Sequence, residues 1–160
     1  MASSHEVTTW RMVKRKHAKM AFTGEGSRLF GGRWNSPGSA LVYTAQSQSL
    51  AALEMVVHLD SFELLKAYVL FEVRIDASLI TQIAPSTLPG NWREDQPPPA
   101  LSEVGDRFMA EALSAVLRVP SVLVPGEDNF LINPQHEDFR KIRVGQPIPF
   151  RFDPRLTRLR

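Results

Sequence analysis

The 160-residue sequence contains no cysteine. That absence removes disulfides, thiolate nucleophiles and every cysteine-based zinc or iron–sulfur centre at once. Long apolar runs are missing too. No stretch approaches the roughly 20 residues of a membrane span, and the start, MASSHEVTTWRMVKRKHAKMAF, has no apolar core before a cleavage site. A cytoplasmic protein without membrane contact is expected. The familiar catalytic and phosphate-binding signatures are also absent: no G-x-G-x-x-G, no Walker loop, no HExxH and no G-x-S-x-G. The four histidines, His5, His17, His58 and His136, are scattered, none at ligand spacing from another. Glu54 and His58 fall i, i+4 on one helix face, which is ion-pair spacing, and two groups do not make a metal site. No metal is expected, and no repeat of 20–50 residues is visible.

What is present has ordinary proportions and an uneven layout. Hydrophobic residues are 43% and charged residues 22%, suiting one globular domain over residues 1–160. The net charge of +2 conceals basic ends around an acidic middle. Residues 1–20 hold five Lys/Arg against one Glu, and residues 139–160 hold seven against one Asp. The basic residues are 14 Arg to 5 Lys, a skew toward the side chain suited to bidentate recognition of carboxylate or phosphate. Solvated surface, an acidic partner, nucleic acid and an anionic substrate are all compatible with this pattern.

Along the chain, Arg28–Tyr43 reads as a strand, a turn at Asn35-Ser36-Pro37-Gly38 and a second strand around Ala40–Thr44. Ser47 or Ser49 caps a helix running to about Leu59, with Leu50, Leu53 and Val57 facing the core. Ala67–Asp76 alternates as a half-buried strand, with Val69, Phe71, Val73 and Ile75 inward, and Leu79–Ile83 continues it after a bend. Pro85–Ala100 is a long Pro-rich loop. Leu101, Val104, Phe108, Ala112 and Val116 mark a helix, and Val119–Val124 a short buried strand. Asn133-Pro134 turns the chain before an edge strand at Lys141–Phe152, weakened by Pro147 and Pro149. The mixture lacks a βαβ rhythm, so an α+β fold is expected: a single domain with a mixed, mostly antiparallel central sheet flanked by helices.

Unusual residues concentrate between Gly31 and Glu54. Gly31-Gly32 fits a glycine bulge or a close approach to a ligand. Arg33 lies in an apolar run, where it must reach solvent or pair with an anion. Tyr43 ends a buried strand, in which a core tyrosine with a satisfied hydroxyl is the ordinary occupant. Glu54, between Leu53 and Met55, is either partnered in a cleft or exposed on the polar edge of its helix. Ser121, within Val-Pro-Ser-Val-Leu-Val-Pro, can bond neighbouring backbone. Asn129 and Asn133, in DNFLINP, are ordinary turn types.

Together these residues form a compound motif. FTGEGSRLFGGRWNSPGSALVYTAQSQSLAALEMVVH, from Phe22 to His58, closely resembles the RES domain, named for an Arg, a Glu and a Ser. The counterparts are Arg33 in GGRWN, Glu54 in LAALE and Ser121 in VPSVLVP. The likeness continues through DNFLINP and back to Trp10-Arg11, covering nearly the whole chain apart from the Pro-rich segment around Pro97–Pro99. The resemblance implies an ADP-ribosyltransferase-like fold and a toxin of a bacterial toxin–antitoxin pair. It implies an enzyme that consumes NAD⁺ by phosphorolysis or hydrolysis, or one that ADP-ribosylates a protein. It also implies a Xre/Cro-like helix-turn-helix antitoxin covering the active site, and a dimer within that complex.

The chemistry is compatible with those residues. Cleavage of the nicotinamide–ribose bond passes through an oxocarbenium-like state. Nicotinamide leaves neutral from a cationic pyridinium, so no general acid is required. Catalytic roles then fall to Arg33, Tyr43, Glu54 and Ser121. Glu54 would hold ribose hydroxyls and stabilise positive charge, while Arg33 and Arg11 would clamp phosphates. Tyr43 would pack against the nicotinamide end. Ser121 and Asn129 would hydrogen-bond phosphate or ribose, and His58 could orient Glu54. NAD⁺ is then substrate rather than cofactor, with inorganic phosphate a possible co-substrate. The non-enzymatic rival makes Arg11, Lys14, Arg15, Lys16, Lys19 and the arginine tail a nucleic-acid surface, although poor aromatic interleaving argues against direct binding.

Overall fold

The structure, a computed structural model, describes residues 5–158. Met1–Ser4 and, from the basic tail, Arg160 lie outside the described residues. The basic N-terminal stretch divides between a strand, β1 (Glu6–Lys14), which buries Thr9 and Met12, and a 3-10 helix over Arg15–Met20. It pairs antiparallel along its whole length with β3 (Tyr68–Asp76), from Glu6 opposite Asp76 to Lys14 opposite Tyr68. The inward residues of β3 are those its alternation indicates, Val69, Phe71, Val73 and Ile75. Tyr68 and Leu70 are buried on the opposite face as well, so the first half of the strand is covered on both sides.

The sheet continues from β1 through β2 (Val42–Ala45), β6 (Asp128–Ile132) and β5 (Val116–Pro120) to β4 (Ile80–Gln82). On the other side of β3 lie the two-residue β7 (Arg143–Val144) and β8 (Ile148–Phe150). Among the described residues, only β4 and β5 run parallel. The expected α+β architecture, with a mixed but mostly antiparallel sheet, is therefore observed.

Among the described residues, three α-helices accompany this sheet: α1 (Glu25–Phe30), α2 (Gln48–His58) and α3 (Pro99–Glu111). On one side, Leu101 and Phe108 of α3 pack with Trp34 and Trp92 over Leu117, Val119 and Leu131. Elsewhere Leu50 and Ala51 of α2 pack with Met12, Tyr68, Leu70 and Phe152. Ser47 caps α2: its hydroxyl accepts from the Leu50 amide at 3.1 Å and donates to Glu127 at 2.6 Å. Ser47→Ala should cost about 1 kcal/mol, read as a lower denaturation midpoint.

Several local expectations need correction. Arg28–Phe30 belongs to α1 rather than to a strand. That helix starts after Gly24 and ends at Gly31, both at positive φ, and a Cβ at Gly24 would meet the Ala40 carbonyl carbon at 2.6 Å. Leu53 and Val57 are exposed, because α2 turns Leu50 and Ala51 toward the sheet; Val57 lines the cavity mouth, and Leu53 does not. Ala112 does not extend α3. It adopts a left-handed cap at φ 48°, and Val116 begins β5 instead. The strand expected at Val119–Val124 is displaced to β5 and stops at Pro120. Asn129 lies inside β6 near the middle of the sheet, whereas Asn133 does turn the chain, accepting from the Gln135 amide. The C-terminal strand splits in two, with Pro149 opposite Val69 on the edge of β3.

Candidate active site

The loop before β2 is built first. Asn35 is buried, and its amide nitrogen donates to the carbonyls of Ser27, Ser36 and Ser39 at 3.0–3.1 Å. Its amide oxygen accepts from the Tyr43 hydroxyl at 2.5 Å, and that hydroxyl accepts in turn from the Trp34 amide at 3.2 Å. Burial holds the Tyr43 phenol above its ordinary pKa, so it stays a neutral donor. Gly32 must be glycine here, since a Cβ would lie 2.6 Å from the Tyr43 oxygen. From α3, Asp106 accepts from the Ser36 amide at 2.9 Å and the Ser39 hydroxyl at 3.0 Å. The Gly31–Asn35 segment is thus tied to α1, β2 and α3.

Beside it opens a cavity of about 880 Å³. Arg11, Arg33, Tyr43, Glu54, His58 and Asn129 line it, although they are spread over more than a hundred residues of chain. Glu54 projects from α2 and accepts from the Asn129 side chain at 2.7 Å; the same amide donates to the Thr44 carbonyl at 3.2 Å. Of its two sequence readings, the partnered one is observed. Burial pushes the Glu54 carboxyl up to about 7, against the opposing pull of the Asn129 hydrogen bond and the Arg11 charge. Arg11 donates Nε to Ala21 O at 2.6 Å and Nη1 to Tyr43 O at 2.8 Å. Burial lowers it to about 10 despite Glu54, so it remains cationic at neutral pH.

Arg33 reaches neither bulk solvent alone nor a carboxylate by direct hydrogen bond. Its Nη1 donates to the carbonyls of Trp92 at 3.0 Å and Glu94 at 2.9 Å. Partial burial lowers its pKa, with nearby Asp95 opposing. Ser121 stands behind the cavity wall: its buried hydroxyl accepts from the amides of Leu123 and Val124, both at 3.1 Å. It shapes the turn that presents Val122 and Leu123 to the cavity.

Sequence reasoning missed Asn35, whose signal was a lone amide between Trp34 and Ser36. It also missed Arg93, Asp95 and Pro97, which line the cavity from the Pro-rich loop. The signal there was Trp92-Arg93 in an otherwise polar stretch. Among the described residues, no three His, Asp or Glu side chains gather as a metal would need, and no helix is long and apolar enough to cross a membrane.

A curled, mostly antiparallel sheet with one partnered glutamate and arginines around a cavity defines a class, and comparison with known proteins gives its family. Residues 8–153 match the family model described as the RES domain. Toxin Res of Yersinia enterocolitica serotype O:8 / biotype 1B is 40% identical over 148 residues, spanning 92% of this chain and 97% of its own. The Prs ADP-ribosylating toxin of a Sphingobium strain is 35% identical over 154 residues, spanning 93% and 96%. In fold, a chain from the crystal structure of the M. tuberculosis MbcT–MbcA toxin–antitoxin complex superposes with a TM-score of 0.76 at 19% identity, covering 98% of this chain and 89% of that one. The chain belongs to the RES domain family. It is a toxin of that family.

Proposed function

We propose that this toxin binds NAD⁺ in the 880 Å³ cavity and breaks the nicotinamide–ribose bond, with phosphate or water as acceptor. The observation that carries the reading is Glu54, held at 2.7 Å by Asn129 on the cavity wall and faced by the half-buried Arg11. The bond joins C1′ of ribose to a pyridinium nitrogen. When it breaks, its electron pair leaves with neutral nicotinamide and positive charge develops at C1′ and the ring oxygen. A carboxylate in a partly dry cavity stabilises that charge more than it stabilises the ground state. Attack by phosphate gives ADP-ribose 1″-phosphate, and attack by water gives ADP-ribose. Tyr43 stays protonated and offers a packing surface for the nicotinamide end.

Transfer of the ADP-ribosyl group to a protein uses the same cleavage with a side chain as acceptor, and the similarity to the ADP-ribosylating toxin of Sphingobium supports it as the alternative. Incubating the pure protein with NAD⁺, with and without phosphate, and identifying products by mass spectrometry separates the acceptors. Intact NAD⁺ in the absence of any partner would overturn the enzymatic reading.

The partner inferred is an antitoxin covering the cavity, of Xre/Cro-like type and acting within a dimeric assembly in the cytoplasm. The toxin–antitoxin complex containing the structural neighbour supports an antitoxin partner. Poor aromatic interleaving argues against direct nucleic-acid binding. The basic ends are occupied in part, while Arg15, Lys16 and Lys19 stay exposed. Arg11 is inside the cavity, Lys14 pairs with Glu63 at 2.6 Å, Arg143 pairs with Glu6, and Arg155 pairs with Asp153 at 2.8 Å.

A further inference from the structure

Three arginines line the cavity, and two of them are engaged with backbone. Arg11 donates to two main-chain carbonyls through Nε and Nη1, and Arg33 donates through Nη1 to two others. Arg93 differs. Among the described residues it makes no hydrogen bond and no ion pair, and it is exposed at the cavity rim with one stacking contact. Its guanidinium lies over the Trp92 ring, 4.5 Å from the centroid. Trp92 is itself buried against Trp34 at 6.3 Å, and the carbonyls on either side of Arg93 are the two that Arg33 holds. Stacking occupies the face of a guanidinium and leaves its N–H donors, which lie in its plane, available at the edge. A pre-positioned, unpaired arginine on a cavity wall is suited to a bidentate oxyanion.

We propose that Arg93 is the pyrophosphate-binding residue of this site, and that Arg33 acts chiefly as a positioning residue that fixes the loop carrying it. The Pro-rich segment thereby gains a role: Leu88 and Trp92 anchor it in the core, and Arg33 pins its backbone. The carrier of the pyrophosphate rests on the NAD⁺ reading above; the anion site itself rests on Arg93.

The test is calorimetric titration of the full chain with ADP, which has the diphosphate but no scissile bond, and with inorganic phosphate. Arg93→Ala should weaken ADP binding about 10- to 100-fold, and Arg93→Lys should recover part of that loss. Arg107→Ala, on the exposed side of α3 and outside the cavity lining, should leave ADP affinity within about two-fold, because exposed charges at that remove are screened. A wild-type protein that fails to bind millimolar ADP overturns the proposal. So does Arg93→Ala binding ADP like the wild type, an equal loss in Arg107→Ala, or weakened phosphate binding with ADP unchanged. Loss of ADP binding in Arg93→Ala alongside intact NAD⁺ in the turnover assay would retain the anion site and remove the enzymatic reading. Unchanged ADP binding with normal turnover would do the reverse.

Discussion

Glu54→Gln is expected to abolish NAD⁺ cleavage while making the protein more stable, not less, above neutral pH. The loss of activity should reach about 10²- to 10³-fold or more, the range for removing one pre-organised electrostatic group from a reacting centre. The stability effect follows from burial. The carboxyl is raised from 4.5 to about 7 in the folded protein, so folding favours its neutral form. That contribution is fully present below pH 4.5 and is lost as pH rises through about 7. Glutamine is permanently neutral and can still accept from Asn129, so the advantage of the variant should grow between those values and then level off. Its size is on the order of 1–3 kcal/mol. Wild-type kcat/KM should rise with pH through about 7, since the proposed mechanism uses the ionised carboxylate. Urea denaturation at pH 5 and pH 8.5 checks the first effect and a pH–rate profile the second. A variant that keeps a tenth of wild-type activity would remove Glu54 from the chemistry.

Gly105→Ala should destabilise the fold by about 2–4 kcal/mol, although the same change in an exposed helix stabilises it by up to about 1 kcal/mol. A Cβ at Gly105 would stand 1.9 Å from the Trp34 carbonyl oxygen and 2.9 Å from its carbon. Those are backbone atoms of the segment that carries Arg33 and Asn35, so either α3 lifts or the cavity wall shifts. Thermal denaturation should show a fall of roughly 5–15 °C. Gly26→Ala, in α1 with nothing within 4 Å of its would-be Cβ, is the matching control and should be neutral or slightly stabilising. An equally tolerated Gly105→Ala would mean that the contact between α3 and the loop is slack.

The elements legible in the sequence were those whose own pattern is enough. The alternation of β3 and the serine-capped start of α2 depend on local chemistry and stand where the pattern puts them. The turn falls one residue later, with the Ser39 amide donating to the Ser36 carbonyl, and follows α1 and a loop rather than a strand. β1 and β6 were not read as strands. β1 alternates weakly and runs into the basic stretch that follows Lys14, and β6 opens with Asp-Asn, ordinary turn residues that here serve tertiary partners. The stripe on α2 failed for a related reason: Val57 borders the cavity and Leu53 is exposed, and periodicity cannot distinguish such positions from a core.

The site divides the same way. Glu54, Arg33, Tyr43, Arg11 and Asn129 could be nominated from residue type and the long GGRWN–VY–LAALE motif. The sequence by itself determined the family, the α+β class and that short inventory, because each rests on composition or on residues near one another in the chain. Only the tertiary structure decided who meets whom. It set Asn129 of β6 against Glu54 of α2 and gave Arg33 to the carbonyls of the Pro-rich loop. It turned Ser121 to the backbone and left Arg93 stacked with its donors unpaired. Hydrogen-bond partners separated by 59 or 75 positions are chosen by how the sheet closes and which groups it buries, and no local pattern records that choice.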